Sequence, residues 1–107
     1  MPTPAITVKE LKALRDAKAP HVLLDVREQD ENQHCRIEGS LWIPMGQVAA
    51  RAAELPKGVT IVVHCHHGGR SARVTDLLLK SGFSDVKNLS GGIDAWSCEI
   101  DSSVPRY

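Results

Sequence analysis

The sequence has no excess of charge of either sign and no long apolar run. Lysine plus arginine and aspartate plus glutamate each number 13, so the formal net charge is +0. Nucleic-acid affinity rests on many basic contacts to phosphates, and this balance therefore argues against a nucleic-acid partner. The longest apolar stretches, near residues 22–26 and 59–63, are of strand length, which argues against a membrane partner. With no signal-like N-terminus, we expect a cytoplasmic protein.

Cysteine is scarce, and its three positions lie far apart. Cys35, Cys65 and Cys98 form an odd number without a close pair. Such spacing suits neither a disulfide framework nor a zinc site built on Cys-x-x-Cys, and we expect no metal or organic cofactor. Reduced thiols in a reducing compartment are the simpler interpretation.

Strand-like and helix-like segments alternate along the chain. Apolar runs predict strands at residues 21–26, 41–43, 59–64 and 86–89, and amphipathic spacing predicts helices at residues 8–17, 46–55, 71–80 and after residue 92. A short helix is also predicted within residues 27–33. This alternation predicts an α/β fold with a mainly parallel sheet. The 107 residues fit a single domain over 1–107, with a core at about 5–100 and an irregular tail at 101–107.

Three details of packing follow from the same patterns. Thr7 and Glu10 have the spacing of a capping box, which would start the first helix. Apolar residues at helical spacing should share buried faces. They are Val8, Leu11 and Leu14 in the first helix and Val74, Leu77 and Leu78 in the helix at 71–80. Trp42 and Trp96 are predicted to lie in the core.

A polar, glycine-rich segment joins the strongest predicted strand to the strongest predicted helix. We call residues 65–70, Cys-His-His-Gly-Gly-Arg, the Cys65 loop. Parallel α/β sheets place reactive groups at this carboxyl end of a strand. Gly68 and Gly69 permit a tight ring with inward amide groups, to which the following helix adds its N-terminal partial charge.

Positive potential around the sulfur favours the reactive thiolate form of Cys65. Arg70 and either His66 or His67 would add to that potential. A lone cysteine after a strand is usually a small buried hydrophobe. The polar, glycine-rich sequence Gly-Gly-Arg-Ser lies just beyond Cys65. A cysteine that only fills a hydrophobic core does not need such a sequence, so the pattern favours a nucleophile.

A series of motifs in order along the chain resembles the rhodanese domain family. The matching segments are Asp25-Val26-Arg27-Glu28, Arg36-Ile37-Glu38-Gly39-Ser40 with Ile43-Pro44, Cys65-x4-Arg70-Ser71, Gly82-Phe83, Asn88-Leu89 and Gly91-Gly92-Ile93-x-Ala95-Trp96. The resemblance implies a five-stranded, mainly parallel sheet with helices on both faces. It also implies a sulfurtransferase of the thiosulfate type, whose cysteine carries sulfur as a persulfide.

On this resemblance, Cys65 and Arg70 are catalytic. The loop and substrate-binding residues are His66, His67, Gly68, Gly69, Ser71, Asp25 and Arg27, although Arg27 has a structural ion pair as its alternative. The donor would be a small sulfur-containing anion or a persulfide, and the acceptor a thiol or a sulfur carrier protein. His66 and His67 replace the family's more usual arginine or lysine and small residue, and this leaves the donor open.

The C-terminal segment from Ile100 to Tyr107 refines the resemblance. Its pattern, Ile-Asp-x-Ser-x-Pro-Arg-Tyr, is similar to rhodanese domains fused behind ubiquitin-activating-like adenylyltransferases. Those domains deliver sulfur to carrier proteins for molybdopterin or thiocarboxylate synthesis. This sequence contains no adenylyltransferase domain, so only a role in sulfur delivery carries over.

Three other functions compete for the same residues. A phosphatase or arsenate reductase of this fold has five residues between its cysteine and arginine, whereas four separate Cys65 from Arg70. A metal site would need His64, Cys65, His66 and His67 to converge, but consecutive strand side chains point to opposite faces. A non-catalytic binding module of this family usually lacks the cysteine that this chain retains.

Overall fold

The computed structural model describes residues 3–107. Its strands are β1 (Ala5–Ile6), β2 (His21–Asp25), β3 (Leu41–Trp42), β4 (Thr60–His64) and β5 (Val86–Leu89). Its α-helices are α1 (Val8–Asp16), α2 (Gln29–His34), α3 (Val48–Arg51), α4 (Gly69–Lys80) and α5 (Gly92–Glu99). Short 3₁₀ helices, Met45–Gln47 and Ala52–Glu54, flank α3.

The five strands form one sheet in the order β1-β5-β4-β2-β3, and every pairing is parallel. The predicted α/β fold with a five-stranded sheet is therefore confirmed. β4 lies at the centre, and its last residue, His64, is paired with Asp25 of β2. Strand β1 was not predicted, because two residues are too few to show an alternating pattern.

Helices pack on both faces of the sheet, as predicted. The first core contains mainly residues of the strands, α3 and α4, including Leu24, Val26, Val48, Val63, Cys65, Val74 and Leu78. The second core contains residues of the strands, α1 and α5, including Val8, Leu11, Leu23, Cys35, Val62, Ile93 and Trp96. Alternation along β2 and β4 therefore directs Asp25 and His64 to the second face, opposite the Cys65 side chain.

The capping box at α1 is confirmed. Thr7 Oγ1 accepts a hydrogen bond from the Glu10 amide at 3.1 Å, and Glu10 Oε1 accepts one from the Thr7 amide at 2.9 Å. Two predictions about buried faces are wrong. Leu14 is half-buried, and Leu77 is 36% exposed, because only part of each helix circumference meets the sheet.

Trp42 is also half-buried rather than in the core, and its indole Nε1 donates to the carbonyl of Arg27 at 2.8 Å. Trp96 is in the core, as predicted. The helix predicted over residues 46–55 is divided into α3 and its flanking 3₁₀ helices. Helix α4 begins two residues earlier than predicted, at Gly69, so that the last two residues of the Cys65 loop, Gly69 and Arg70, belong to the helix.

Residues 101–107 contain a turn at residues 102–103 and neither helix nor strand. They are nevertheless packed on the domain: Val104 is 8% exposed, and its carbonyl accepts a hydrogen bond from Ser97 Oγ. Within residues 3–107, we find no helix with the length and apolar character needed to cross a membrane.

Candidate active site

The Cys65 loop lies at the carboxyl end of β4, and its thiol is almost completely enclosed. Cys65 is 2% exposed. Gly68 has a φ of +121°, a conformation that favours glycine, and its carbonyl accepts a hydrogen bond from Asn88 Nδ2 at 3.1 Å. This conformation turns the backbone around the sulfur and leads directly into α4.

Hydrogen-bond donors of the loop and of α4 surround the sulfur. The Gly68 amide lies 3.1 Å from Cys65 Sγ, and Ser71 Oγ lies 3.4 Å from it. Burial opposes ionisation, but the hydroxyl and amide of Ser71 and the amides of Gly68 and Arg70 outweigh it and lower the pKa of the Cys65 thiol. The surroundings of the sulfur thus favour the thiolate, as the sequence analysis expected.

Ser71 lies between Cys65 and a second acceptor. Its hydroxyl also contacts Asn88 Oδ1 of β5. A hydroxyl has a single proton, so it can donate to Asn88 when the thiol is protonated and to the sulfur when the thiolate forms. Asn88 matched a family motif in the sequence, but nothing in the spacing showed that it would support both Ser71 and Gly68.

The N-terminus of α5 fixes the loop from the other side. The amide of Ile93 donates to the carbonyl of Cys65 at 2.9 Å, and that of Asp94 donates to the carbonyl of His66 at 3.1 Å. A Cβ atom at Gly92 would lie 2.5 Å from both of these carbonyl oxygens. The glycine pair interpreted as a turn is therefore also the place where α5 approaches the Cys65 loop.

Asp25 and Arg27 form a buried ion pair on the sheet face opposite the Cys65 side chain. Both side chains are 0% exposed, and Arg27 Nη2 lies 2.8 Å from Asp25 Oδ2. Burial opposes the charge of Asp25, but hydrogen bonds from Arg27 and Asn32 outweigh it and lower the pKa of Asp25. The predicted substrate contact does not fit this position, and the geometry favours the structural alternative considered for Arg27.

His64 occupies the same buried face as this pair. Its side chain is 0% exposed, and its two ring nitrogens have no hydrogen-bond partner among residues 3–107. Burial lowers the pKa of His64 to about 4, although Asp25 opposes the shift. His64 is therefore neutral at physiological pH and takes no part in surrounding the sulfur.

Arg70 points to α2 at the rim of the loop. Its guanidinium nitrogens lie 2.6 and 2.8 Å from the two carboxylate oxygens of Glu31. Arg70 lowers the pKa of Glu31 to about 2, and Glu31 in turn raises that of Arg70. The positive charge expected from Arg70 is therefore largely offset. Glu31 was missed, since a pair 39 positions apart leaves no local signal.

His66 and His67 form the outer rim of the loop. Burial, together with His67, lowers the pKa of His66, and this reduces the positive potential expected from His66. The ligand atoms of His66, His67 and Asp94 lie within 4.8 Å of one another. This grouping differs from the four consecutive residues considered in the sequence analysis. Asp94 is moreover paired with Arg106 at 2.9 Å.

Comparison with known proteins extends the resemblance over almost the whole chain. The family model of the Rhodanese-like domain matches residues 7–99. The Adenylyltransferase and sulfurtransferase MOCS3-2 of Zea mays is 36% identical over 109 residues, which cover 95% of this chain and 23% of that protein. The chain thus spans about a quarter of the length of this curated relative.

Solved structures agree with this match. A rhodanese-like domain protein from Staphylococcus aureus superposes with a TM-score of 0.84 at 29% identity, covering 97% of this chain and 98% of the other. A thiosulfate sulfurtransferase from Pseudomonas aeruginosa is 33% identical with a TM-score of 0.76, covering 90% of this chain and 19% of the other.

Proposed function

The chain belongs to the rhodanese-like domain family, and from this premise we propose that it transfers sulfane sulfur through a persulfide on Cys65. Sulfur transfer in general is supported by the family and by its sulfurtransferase relatives. The observation that carries the proposal is the set of donors around Cys65 Sγ, from the Gly68 amide and the Ser71 hydroxyl. Such donors stabilise an anionic sulfur, which is both the attacking group and the terminal atom of a persulfide.

The first step loads the enzyme. The Cys65 thiolate attacks the outer sulfur of thiosulfate, forming a sulfur–sulfur bond, and sulfite leaves with the electron pair of the broken bond. With a persulfide donor, a thiolate leaves instead. The amides that approach Cys65 Sγ, which are those of Gly68, Arg70 and Ser71, then hold the terminal sulfur.

The second step returns the enzyme to its starting state. A nucleophile, which is cyanide in an assay or a thiol or carrier protein in the cell, bonds to the terminal sulfur, and the Cys65 thiolate leaves. No oxidant or reductant is consumed, and two half-reactions through one covalent intermediate predict ping-pong kinetics. Intersecting double-reciprocal plots would contradict this scheme.

The physiological acceptor is suggested by the relatives. The Zea mays relative combines adenylyltransferase and sulfurtransferase in its name. Because adenylation of a carboxylate prepares it to accept sulfur, we propose a sulfur carrier protein as the acceptor. Free cysteines at positions 35, 65 and 98 are consistent with a reducing, cytoplasmic location.

The proposal is tested by the mass of the intact protein. After incubation with thiosulfate or a low-molecular-weight persulfide and removal of excess donor, we expect the mass to increase by that of one sulfur atom. Cys65→Ala should remove the increase, while Cys35→Ala and Cys98→Ala, the matched controls, should retain it. Turnover of an aryl phosphate that is lost in Cys65→Ser would favour the phosphatase alternative instead.

A further inference from the structure

The last residues of the chain fold back towards the Cys65 loop. Arg106 Nε donates to Asp94 Oδ1 at 2.9 Å, and Val104 is anchored to Ser97 through its carbonyl. Both partners belong to α5, whose N-terminus holds the backbone of the Cys65 loop. The tail is therefore attached to the helix that positions the loop, and Tyr107 is directed to the loop itself.

The ring of Tyr107 lies flat on His66. The two ring centroids are 4.0 Å apart and the ring planes differ by 10°. His34 meets the same tyrosine edge-on, with centroids 5.7 Å apart. Because His66 directly follows the nucleophile, the tyrosine ring covers the beginning of the Cys65 loop.

The hydroxyl of Tyr107 is connected to the other end of the loop. It accepts a hydrogen bond from Arg27 Nη1 at 3.0 Å and donates one to Glu31 Oε2 at 2.8 Å. The same Glu31 carboxylate binds Arg70, the last residue of the loop. Burial raises the pKa of Tyr107 to about 12, with Arg27 opposing and Glu31 assisting, so the hydroxyl remains a donor at physiological pH.

We propose that Tyr107 is a specificity-determining residue of the Cys65 site, which narrows the approach to the sulfur so that slender sulfur compounds pass and bulky ones do not. It contacts His66 at one end of the loop directly and Arg70 at the other end through Glu31, while Cys65 between them is 2% exposed. The substrate class is accordingly a small anion such as thiosulfate, a linear persulfide or an extended peptide terminus. The substrate class named here rests on the proposed function. The narrowing of the approach does not, because it concerns only the access of a reagent to the Cys65 thiol.

The test measures access to Cys65 with two reagents that share one reactive group. In a Cys98→Ser background, which removes the exposed thiol, the protein is treated with N-methylmaleimide or with a maleimide that carries a polyethylene glycol chain. Modification of Cys65 is followed by peptide mass. For each protein we take the rate at which the bulky reagent modifies Cys65 and divide it by the rate for the small reagent. This ratio is compared between the parent and the variants Tyr107→Ala, Tyr107→Phe and Ser102→Ala.

In Tyr107→Ala we expect the ratio to rise about tenfold, because the variant loses both the ring that covers His66 and the hydrogen bonds to charged groups that hold this ring in place. Tyr107→Phe keeps the ring on His66 but loses both hydroxyl contacts, so its ratio should lie between parent and alanine variant. Ser102→Ala, an exposed change in the same tail, should equal the parent. An alanine variant with the parent's unfolding temperature and the parent's ratio would overturn the proposal.

Two further outcomes are also decisive. If Tyr107→Ala does not fold, Tyr107→Leu, which also removes the aromatic ring from His66, takes its place: a ratio equal to the parent's overturns the proposal, and a raised ratio supports it. If the parent acquires no sulfur from thiosulfate or a persulfide, the proposed function fails, yet the maleimide ratios still decide the role of Tyr107.

Discussion

Two buried thiols lie on opposite faces of the sheet, and their surroundings differ. Cys65 is 2% exposed and Cys35 is 7% exposed. Around Cys65, an amide at 3.1 Å and a hydroxyl at 3.4 Å approach the sulfur. The sulfur of Cys35 faces the Arg27 guanidinium at 3.9 Å, and that cation already binds the Asp25 carboxylate. Burial alone therefore does not mark a nucleophile.

The difference arises from the backbone. Cys35 ends α2 with an extended conformation, and its amide is used within that helix by the carbonyl of Glu31. The Cys65 loop instead turns at Gly68 and opens α4, which leaves amides free to point at the sulfur. A reactive thiol here depends on where unpaired backbone donors are directed.

The largest contrast should come from removing each thiol in turn. We expect Cys65→Ala to reduce sulfur transfer from thiosulfate to cyanide by on the order of a thousandfold or more, because the covalent intermediate cannot form. Cys35→Ala should retain most of the activity. The measurement is steady-state thiocyanate formation. Equal losses in the two variants would remove the distinction between the two faces.

The position of the Cys65 loop should depend on Gly92. In Gly92→Ala, the new Cβ would lie 2.5 Å from two loop carbonyl oxygens at a φ of +60°, and we expect the free energy of unfolding to fall by about 3 kcal/mol. Gly46→Ala is the control, since a Cβ there meets no described atom within 4 Å. Urea denaturation measures both. Equal stabilities would mean that α5 does not hold the loop.

The free energy of unfolding should fall in acid because of His64, which lies on the same buried face as the Asp25–Arg27 ion pair. His64 has a pKa of about 4 in the folded protein, against the ordinary histidine value of 6.5, so the unfolded chain binds the extra proton first as the pH falls. The associated stability is fully present above pH 6.5 and is lost towards pH 4, by about 2 kcal/mol between pH 6.5 and 4.5. The free energy of unfolding, measured by urea denaturation across this pH range, should depend less on pH in His64→Gln than in the parent. An equal pH dependence in the two proteins would contradict burial of a neutral imidazole.

A smaller effect is expected from the Ser71 hydroxyl. Ser71→Ala removes one donor to the thiolate, which raises the thiol pKa relative to the parent and leaves less thiolate at neutral pH. Alkylation of Cys65 at pH 7 should slow by about tenfold, the contribution of one hydrogen bond to a charged group. Ser84→Ala, an exposed change elsewhere, is the control. No change in Ser71→Ala would assign the stabilisation to the backbone amides alone.

Four of the five strands, the parallel sheet and the Cys65 loop could be predicted from the sequence because those features are local. A buried strand followed by a glycine-rich turn is visible within a dozen residues. The capping box at Thr7 and the start of α5 could be predicted for the same reason. Asp25 and Arg27 were expected near substrate, but nothing local showed that they would pair beneath the sheet edge.

The remaining parts of the site depend on contacts between distant positions. Glu31 reaches Arg70 across 39 residues, and Tyr107 reaches Glu31 across 76. The tail contains too few apolar residues to predict that it packs, since Val104 alone becomes buried there. These are the contacts that shape the rim of the loop.

The most direct test of the account is the pH dependence of Cys65 alkylation by iodoacetamide, followed by peptide mass beside a free cysteine derivative. The hydrogen bonds to Cys65 Sγ predict that its rate rises at lower pH than that of the free thiol, with the midpoint moving upwards in Ser71→Ala. A midpoint at or above that of the free thiol would mean that burial prevails and that the Cys65 loop does not stabilise a thiolate.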